Sequence, residues 1–248
     1  MQARTWTISG SRLTVDLIAE GISKAFWLLV KGDRDVFQIA LLTLRVSGLA
    51  TLISLAIGVP LGTALALGRF RGRSAAASIV NTGMGLPPVV VGLWVSIMLW
   101  RYGPLGSLRL MYTPAAMVIA QTIIALPIIT GLTMSGIGQL DPGIHVQLLS
   151  LGATRLQLVW LLVREARLAV LAAVIAGFGR VISEIGASMM VGGNVVGHTR
   201  VLTTATSMEV SRGNFGEAIA LSLILLCITL TITSCLTRLQ QKGGSTQS

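Results

Sequence analysis

The chain has 248 residues, of which 53% are hydrophobic and only 11% charged, with a mean hydropathy of +0.80. Soluble domains carry roughly 25% charged residues, so this composition excludes an ordinary soluble fold and points to a protein whose solvent is the lipid bilayer. A formal net charge of +10 raises nucleic acid as a partner. However, the basic residues are spread along the chain as arginines flanking apolar runs, and only Lys24, Lys31 and Lys242 are lysines. That distribution suits membrane spans, and no nucleic-acid partner is expected.

The N-terminal MQARTWTISGSR lacks a compact apolar core with a small-residue cleavage site, so no signal peptide is expected. Leu13 to Val30 has a helical pattern but carries Asp16, Glu20 and Lys24 on one face. Three such charges are costly in a lone span, which favours a helix lying on the membrane surface over a genuine extra span. Residues 1–35 are therefore expected to form a tail and an interfacial helix.

Val36 to Gly68 is the first long apolar segment, and Val46 to Gly68 alone is charge-free and long enough for the hydrocarbon core. Pro60 and Gly62 are expected to bend or weaken it. It stops at Arg69, Arg71 and Arg73, the densest basic cluster, which marks the cytoplasmic side. The second span, Ser74 to Trp100, contains GMGLPPVVVG, where Pro87 breaks the helical hydrogen-bond ladder and Pro88 constrains it again. Freed carbonyls in lipid need a protein or water partner. The break suggests either a bundle interior beside a cavity or a plain kink at a close helix contact.

RYGPLGSLR (101–109) forms an external loop by alternation, and Leu110 to Gly138 is the third span, with Gln121, Thr122 and Pro127 inside it. A cytoplasmic segment at about 139–167 follows. Asp141 is a candidate N-cap with Pro142 at the first helical position, and Ile144, Leu148 and Leu151 recur at helical spacing until Gly152 interrupts. A short amphipathic helix between two spans is a handle for a soluble partner.

The fourth span, about Leu168 to Val191, holds Arg180 and Glu184, the only strongly charged pair deep in an apolar segment. At i, i+4 they can pair on one helix. They are either a self-satisfied structural pair or an element of a conduit, with Arg180 able to attract an anion. Gly192 to Gly213 is an outer loop, the last span covers about Phe215 to Leu236, and residues 238–248 are a short cytoplasmic tail. Cys227 and Cys235 sit in that last apolar run at no metal-ligand spacing and are expected to be buried thiols acting as small hydrophobes.

The whole is an all-α membrane protein of about five transmembrane helices plus the interfacial helix, with residues 36–237 as the membrane domain. None of the three lysines follows a glycine in a glycine-rich turn, so no P-loop exists, and neither His145 nor His198 has a second ligand at useful spacing. No catalytic residue, metal site or bound cofactor is expected.

LSLGATRLQLVWLLV followed by a span resembles the cytoplasmic coupling loop of ABC-importer permease subunits. Further segments are similar to the tungstate and molybdate branch of that family: LRVSGLATLISLAIGVPLG, NTGMGLPPVVVGLWV, YGPLG, TPAAMVIAQTIIALP and FGRVISEIGASMMVGGNVVGHTRVLTTAT. The last is most like tungstate permeases. Two departures stand out. The family's Glu-Ala-Ala before the loop glycine reads Val146-Gln147-Leu148 here, and its Ile-x-Leu-Pro reads Leu162-Val163-Arg164-Glu165.

The resemblance implies a type I, molybdate-permease-like fold in the bacterial inner membrane. It implies a homodimer served by two cytoplasmic ATPases, which use ATP and Mg, and by an external oxyanion-binding protein. ATPase coupling would fall to Ile144, Leu148, Leu149, Leu151, Gly152, Ala153, Thr154 and Arg155. The path or gate would involve Pro87, Pro88, Gly92, Arg180, Ser183 and Glu184. Arg101, Arg109, Asn194, His198 and Arg200 would receive the binding protein.

Overall fold

The computed structural model describes residues 19, 21–28, 30, 31 and 33–244. Asp33 opens the first long helix, α1 (Arg34–Leu67), its carboxylate accepting from the amides of Asp35 and Val36. At the other end Arg73 reaches back, its Nε donating to the Leu65 carbonyl at 2.6 Å. A guanidinium at a helix C-terminus satisfies a free carbonyl and complements the negative end of the dipole.

The remaining elements are α2 (Arg73–Met84), α3 (Pro88–Leu99), a 3-10 turn (Gly106–Leu108), α4 (Pro114–Gly138), α5 (Pro142–Ser150), α6 (Arg155–Glu165), α7 (Arg167–Ile182), α8 (Gly186–Gly192), α9 (Leu202–Ser211) and α10 (Phe215–Gly244). Helices α1, α4 and α10 are long and apolar enough to cross a bilayer singly. The pairs α2–α3 and α7–α8 qualify only together, bent by 103° and 59° at their breaks. The sequence-based count of five spans is thus met as three continuous helices and two broken ones.

The spine is α1 against α4. Ala50, Ser54, Gly58 and Gly62 repeat every fourth residue on the buried face of α1, so small side chains let the two backbones approach. Ser54 Oγ donates to the Thr122 carbonyl across the contact. A Cβ on Gly62 would stand 2.6 Å from the Thr130 carbonyl oxygen. Pro60 and Gly62, expected to weaken the span, lie in an unbroken helix where Gly62 is a point of close approach.

Around this pair, Val91, Val95 and Leu99 of α3, Met117 and Ile124 of α4, Val181 of α7 and Val191 of α8 close one core. A second, smaller core joins Val36 of α1 with Leu202 and Ala205 of α9 and Leu221 and Ile224 of α10. Arg69, Arg71 and Arg73 lie at one end of the bundle, the end that the positive-inside rule assigns to the cytoplasm from this arginine cluster.

Three expectations change. The outer loop after Gly192 is not irregular throughout: residues 202–211 form α9, tied to α1 because Leu202 N–H donates to Thr43 Oγ1. Its apolar residues are few, so hydropathy did not mark it. The last helix runs past Leu236 to Gly244, and Gln240 Nε2 donates to the Leu168 carbonyl at the start of α7. Cys227 and Cys235 are exposed on α10 rather than buried, Cys227 at the rim of a cavity between α10 and α1.

Much of the proposed interfacial helix, including residues 13–18, lies outside the described residues. Residues 21–28 are helical, with Gly21 against Ile219 and Lys24 ion-paired with Glu217 at the head of α10.

Candidate functional site

The segment between α4 and α7 folds as two short capped helices. Asp141 Oδ1 accepts from the Gly143 amide at 2.7 Å, starting α5 as its sequence indicates. The helix ends in a Schellman arrangement: Ala153 N–H donates to Leu148 O and Gly152 N–H to Leu149 O, with Gly152 at φ +81°. That left-handed conformation favours glycine, which explains the residue found there.

Thr154 then opens α6 with a reciprocal capping box to Gln157. The Thr-x-x-Gln spacing carries this signal in the sequence, although the sequence reading places a helix only up to Gly152.

The apolar face of α5 differs from the one expected. Ile144 and Leu148 are half-buried, as is Ala153, while Val146, Leu149 and Leu151 are exposed, Leu151 at 84%. The 144/148 stripe therefore faces inward, and Val146 and Leu149, one turn apart, face outward. Thr154 and Arg155 are exposed beside them. On α6, Leu156 and Trp160 are also exposed, and the Arg164 guanidinium lies 5.3 Å from the Trp160 ring centroid. This end of the bundle thus offers exposed apolar side chains on two capped helices, a surface suited to a partner protein.

The membrane-embedded part centres on the two breaks. α2 ends at Gly85, and α3 restarts at Pro88, with Pro87 as N-cap. α7 ends at Ser183, and α8 restarts at Gly186. The restarted halves interlock: a Cβ on Gly92 would meet Ala187 Cα at 2.7 Å, and one on Gly186 would meet Val89 Cγ2 at 2.7 Å. The structure therefore brings Gly92 and Val89 against α8. A 103° turn is far beyond a plain kink.

The Arg180–Glu184 pairing is not formed. Glu184 falls in the break, so the two residues no longer share a helix, and no ion pair joins them among the described residues. Glu184 is 7% exposed, and its Oε1 accepts from the Ala187 amide at 2.9 Å. Its own carbonyl accepts from Thr203 Oγ1, anchoring α9 to the break.

A buried carboxylate is tolerable only with such partners. By taking an amide at the start of α8, it also removes a donor from any passing anion. Arg180 and Ser183 lie exposed on the same turn, with Pro87 exposed at the other break. Gln121 and Ser188, joined by a 3.2 Å hydrogen bond, form a buried polar link between α4 and α8. The sequence signalled Gln121 as a polar residue in a span but not its partner.

At the outer end Arg101 and Arg109 are exposed, Arg109 at φ +51°. Asn194 is buried, contrary to a docking role: its Oδ1 accepts from Thr204 Oγ1, holding the loop onto α9. His198 is exposed and Arg200 half-buried, and both face α1 across a cavity. Among the described residues, no group of three or more His, Cys, Asp or Glu side chains is arranged to hold a metal.

The sequence profile of the "Binding-protein-dependent transport system inner membrane component" family matches residues 58–242. This chain belongs to that family. The permease is similar to the tungstate uptake system permease protein TupB of Peptoclostridium acidaminophilum, 41% identical over 228 residues that cover 92% of this chain and 100% of that protein. It is 40% identical to a probable anion ABC transporter permease protein of Haloferax volcanii over 202 residues, 79% of this chain and 87% of that one.

Among solved structures, the inward-facing MetNI methionine ABC transporter superposes with a TM-score of 0.69 at 21% identity, over 87% of this chain and 96% of that one. This shared fold confirms the type I permease architecture. The permease is a multi-pass inner-membrane protein and a transport component.

Proposed function

We propose that this permease imports tungstate, and that ATP hydrolysed with Mg by two partner ATPases drives it. The observation that carries the substrate is the near-full-length similarity to a tungstate uptake permease. The chain itself binds no cofactor in this scheme. A second copy of the chain completes the path, and an external oxyanion-binding protein delivers the ion.

Three features support the division of labour. The capped α5 and α6 present Val146, Leu149, Leu151 and Leu156 to the cytoplasm, an apolar surface for a groove on each ATPase. The interlocked half-helices α3 and α8 form a rigid unit beside the breaks, which ATPase closure swings between inward- and outward-facing arrangements. Arg180 and Ser183 line the path on the exposed side of α7. A mobile rather than tightly bound anion suits transport, and the occupied amide of Ala187 keeps that site from trapping it.

Exposed Arg101 and Arg109 receive the binding protein. The substrate claim is tested by tungstate uptake in cells with and without this gene, with molybdate and sulfate as competitors. Loss of high-affinity tungstate uptake on deletion is expected. Unchanged tungstate uptake with lost uptake of another anion would overturn the assignment.

A further inference from the structure

We propose that the outer cavity between α1 and the 193–200 loop is an oxyanion subsite, which takes a tetrahedral anion at the mouth of the permease. The proposal rests on the oxyanion-import assignment for its choice of ligand, and it adds a place where the anion is held on entry.

The cavity measures about 280 Å3; its polar lining is Asp35, Gln38 and Arg45 from α1 and His198 and Arg200 from the loop, and apolar side chains of both segments complete the wall. A single water needs only about 15 Å3 of such space, so a tetraoxyanion with part of its hydration fits. Arg45 and Arg200 form no ion pair among the described residues, nor does Asp35. The lining therefore keeps a net positive charge, with the Gln38 amide and the His198 imidazole as further donors.

One donor lacks any partner. Arg200 Nε is buried without a hydrogen bond, and its Nη2 meets only the Met208 sulfur, at 3.5 Å. A buried guanidinium N–H left unmatched is costly, and planar bidentate recognition of an oxyanion is what this group does best.

The loop that carries it is firmly built. The amides of His198, Thr199 and Arg200 all donate to the Val195 carbonyl, and Thr199 Oγ1 accepts from Val195 N–H while donating to the Gly192 carbonyl. His198 and Arg200 are thus held in place before any anion arrives.

Position agrees with this use. Arg45 stands 11 residues into α1, with the charge-free run from Val46 to Leu67 below it. That run alone covers the roughly 20 residues a bilayer core requires, so Arg45 sits at the outer water boundary. An anion released outside meets this cavity before the breaks at Glu184 and Pro87.

The same chemistry would hold the phosphate of an anionic lipid headgroup, and the test separates the two sources. The full-length chain is placed in phosphatidylcholine nanodiscs and titrated with sodium tungstate by calorimetry. Wild type is expected to bind tungstate, and Arg45→Gln and Arg200→Lys to weaken binding about tenfold or more. Arg71→Gln at the cytoplasmic end is expected to bind as wild type. Arg200→Lys keeps the charge, and an unchanged unfolding midpoint certifies its fold.

Absence of binding up to about 1 mM, or equal binding by wild type and both arginine variants, overturns the proposal. A second series in phosphatidylglycerol nanodiscs identifies the occupant. Competition that disappears in both variants supports the site with a headgroup in it; an unaffected tungstate affinity supports the free anion.

Tungstate uptake by cells carrying the wild-type gene is measured alongside. Uptake without binding at the cavity removes the subsite alone, whereas binding without uptake removes the import assignment.

Discussion

Replacing Gly62 by alanine tests the α1–α4 spine. A Cβ there would lie 2.6 Å from the Thr130 carbonyl oxygen, 2.9 Å from Thr133 Cβ and 3.1 Å from the Met134 nitrogen. Carbon atoms settle at about 3.5–4.0 Å, so the helices must part by several tenths of an ångström. The obstacle is largely backbone, which cannot rotate away.

Overpacking of this kind costs about 1–3 kcal/mol, while removing a helix-interior glycine returns about 1 kcal/mol. With a carbonyl as the obstacle, the net loss is expected to be about 1–2 kcal/mol. Gly48 on the same helix is the control, because a Cβ there meets nothing within 4 Å. Gly48→Ala should gain about 0.5–1 kcal/mol. Unfolding midpoints of both variants in the same detergent measure the difference. Equal stability, or a Gly62→Ala protein more stable than Gly48→Ala, would refute the close-approach argument.

Other outcomes follow from individual bonds. Glu184→Ala leaves the Ala187 amide without its acceptor in a buried position and is expected to cost about 1–2 kcal/mol, with Glu184→Gln milder, both read as unfolding midpoints. Thr43→Val removes the acceptor of Leu202 N–H, so amide exchange across residues 201–205 should rise while that of α4 holds. Leu149→Asp and Val146→Asp place charges on exposed positions of α5, so the fold should stand while co-purification with the ATPase falls at least tenfold. Undiminished association of either variant would remove α5 from the coupling role.

The sequence made the spans legible because charge-free runs of helical length have few other uses. The breaks were legible where proline enforced them: Pro87 and Pro88 lie where α2 and α3 meet. The second break had no such marker. Ser183 and Glu184 fit a helical pattern locally, and only the packing of Gly186 on Val89 and the amide of Ala187 reveal why the helix stops. The Arg180–Glu184 pair was read from i, i+4 spacing, a rule that holds only while both residues share a helix.

α5 shows the same division. Its caps at Asp141 and Gly152 were visible, since each cap needs a specific residue type. Which apolar stripe faces outward was not, because α6 and the bundle decide it. The family resemblance puts Asn194 among the docking residues, yet its side chain holds that loop to Thr204. Whether an asparagine meets solvent or a hydroxyl is a tertiary fact.

In the proposed mechanism, energy enters through α5 from an ATPase and moves tungstate across the membrane. The direct measurement is tungstate accumulation in proteoliposomes holding this permease, its ATPase and the external binding protein. Uptake is expected to require ATP and Mg inside and binding protein outside, and to be abolished by Leu149→Asp. Accumulation driven by an ion gradient without ATP would contradict it.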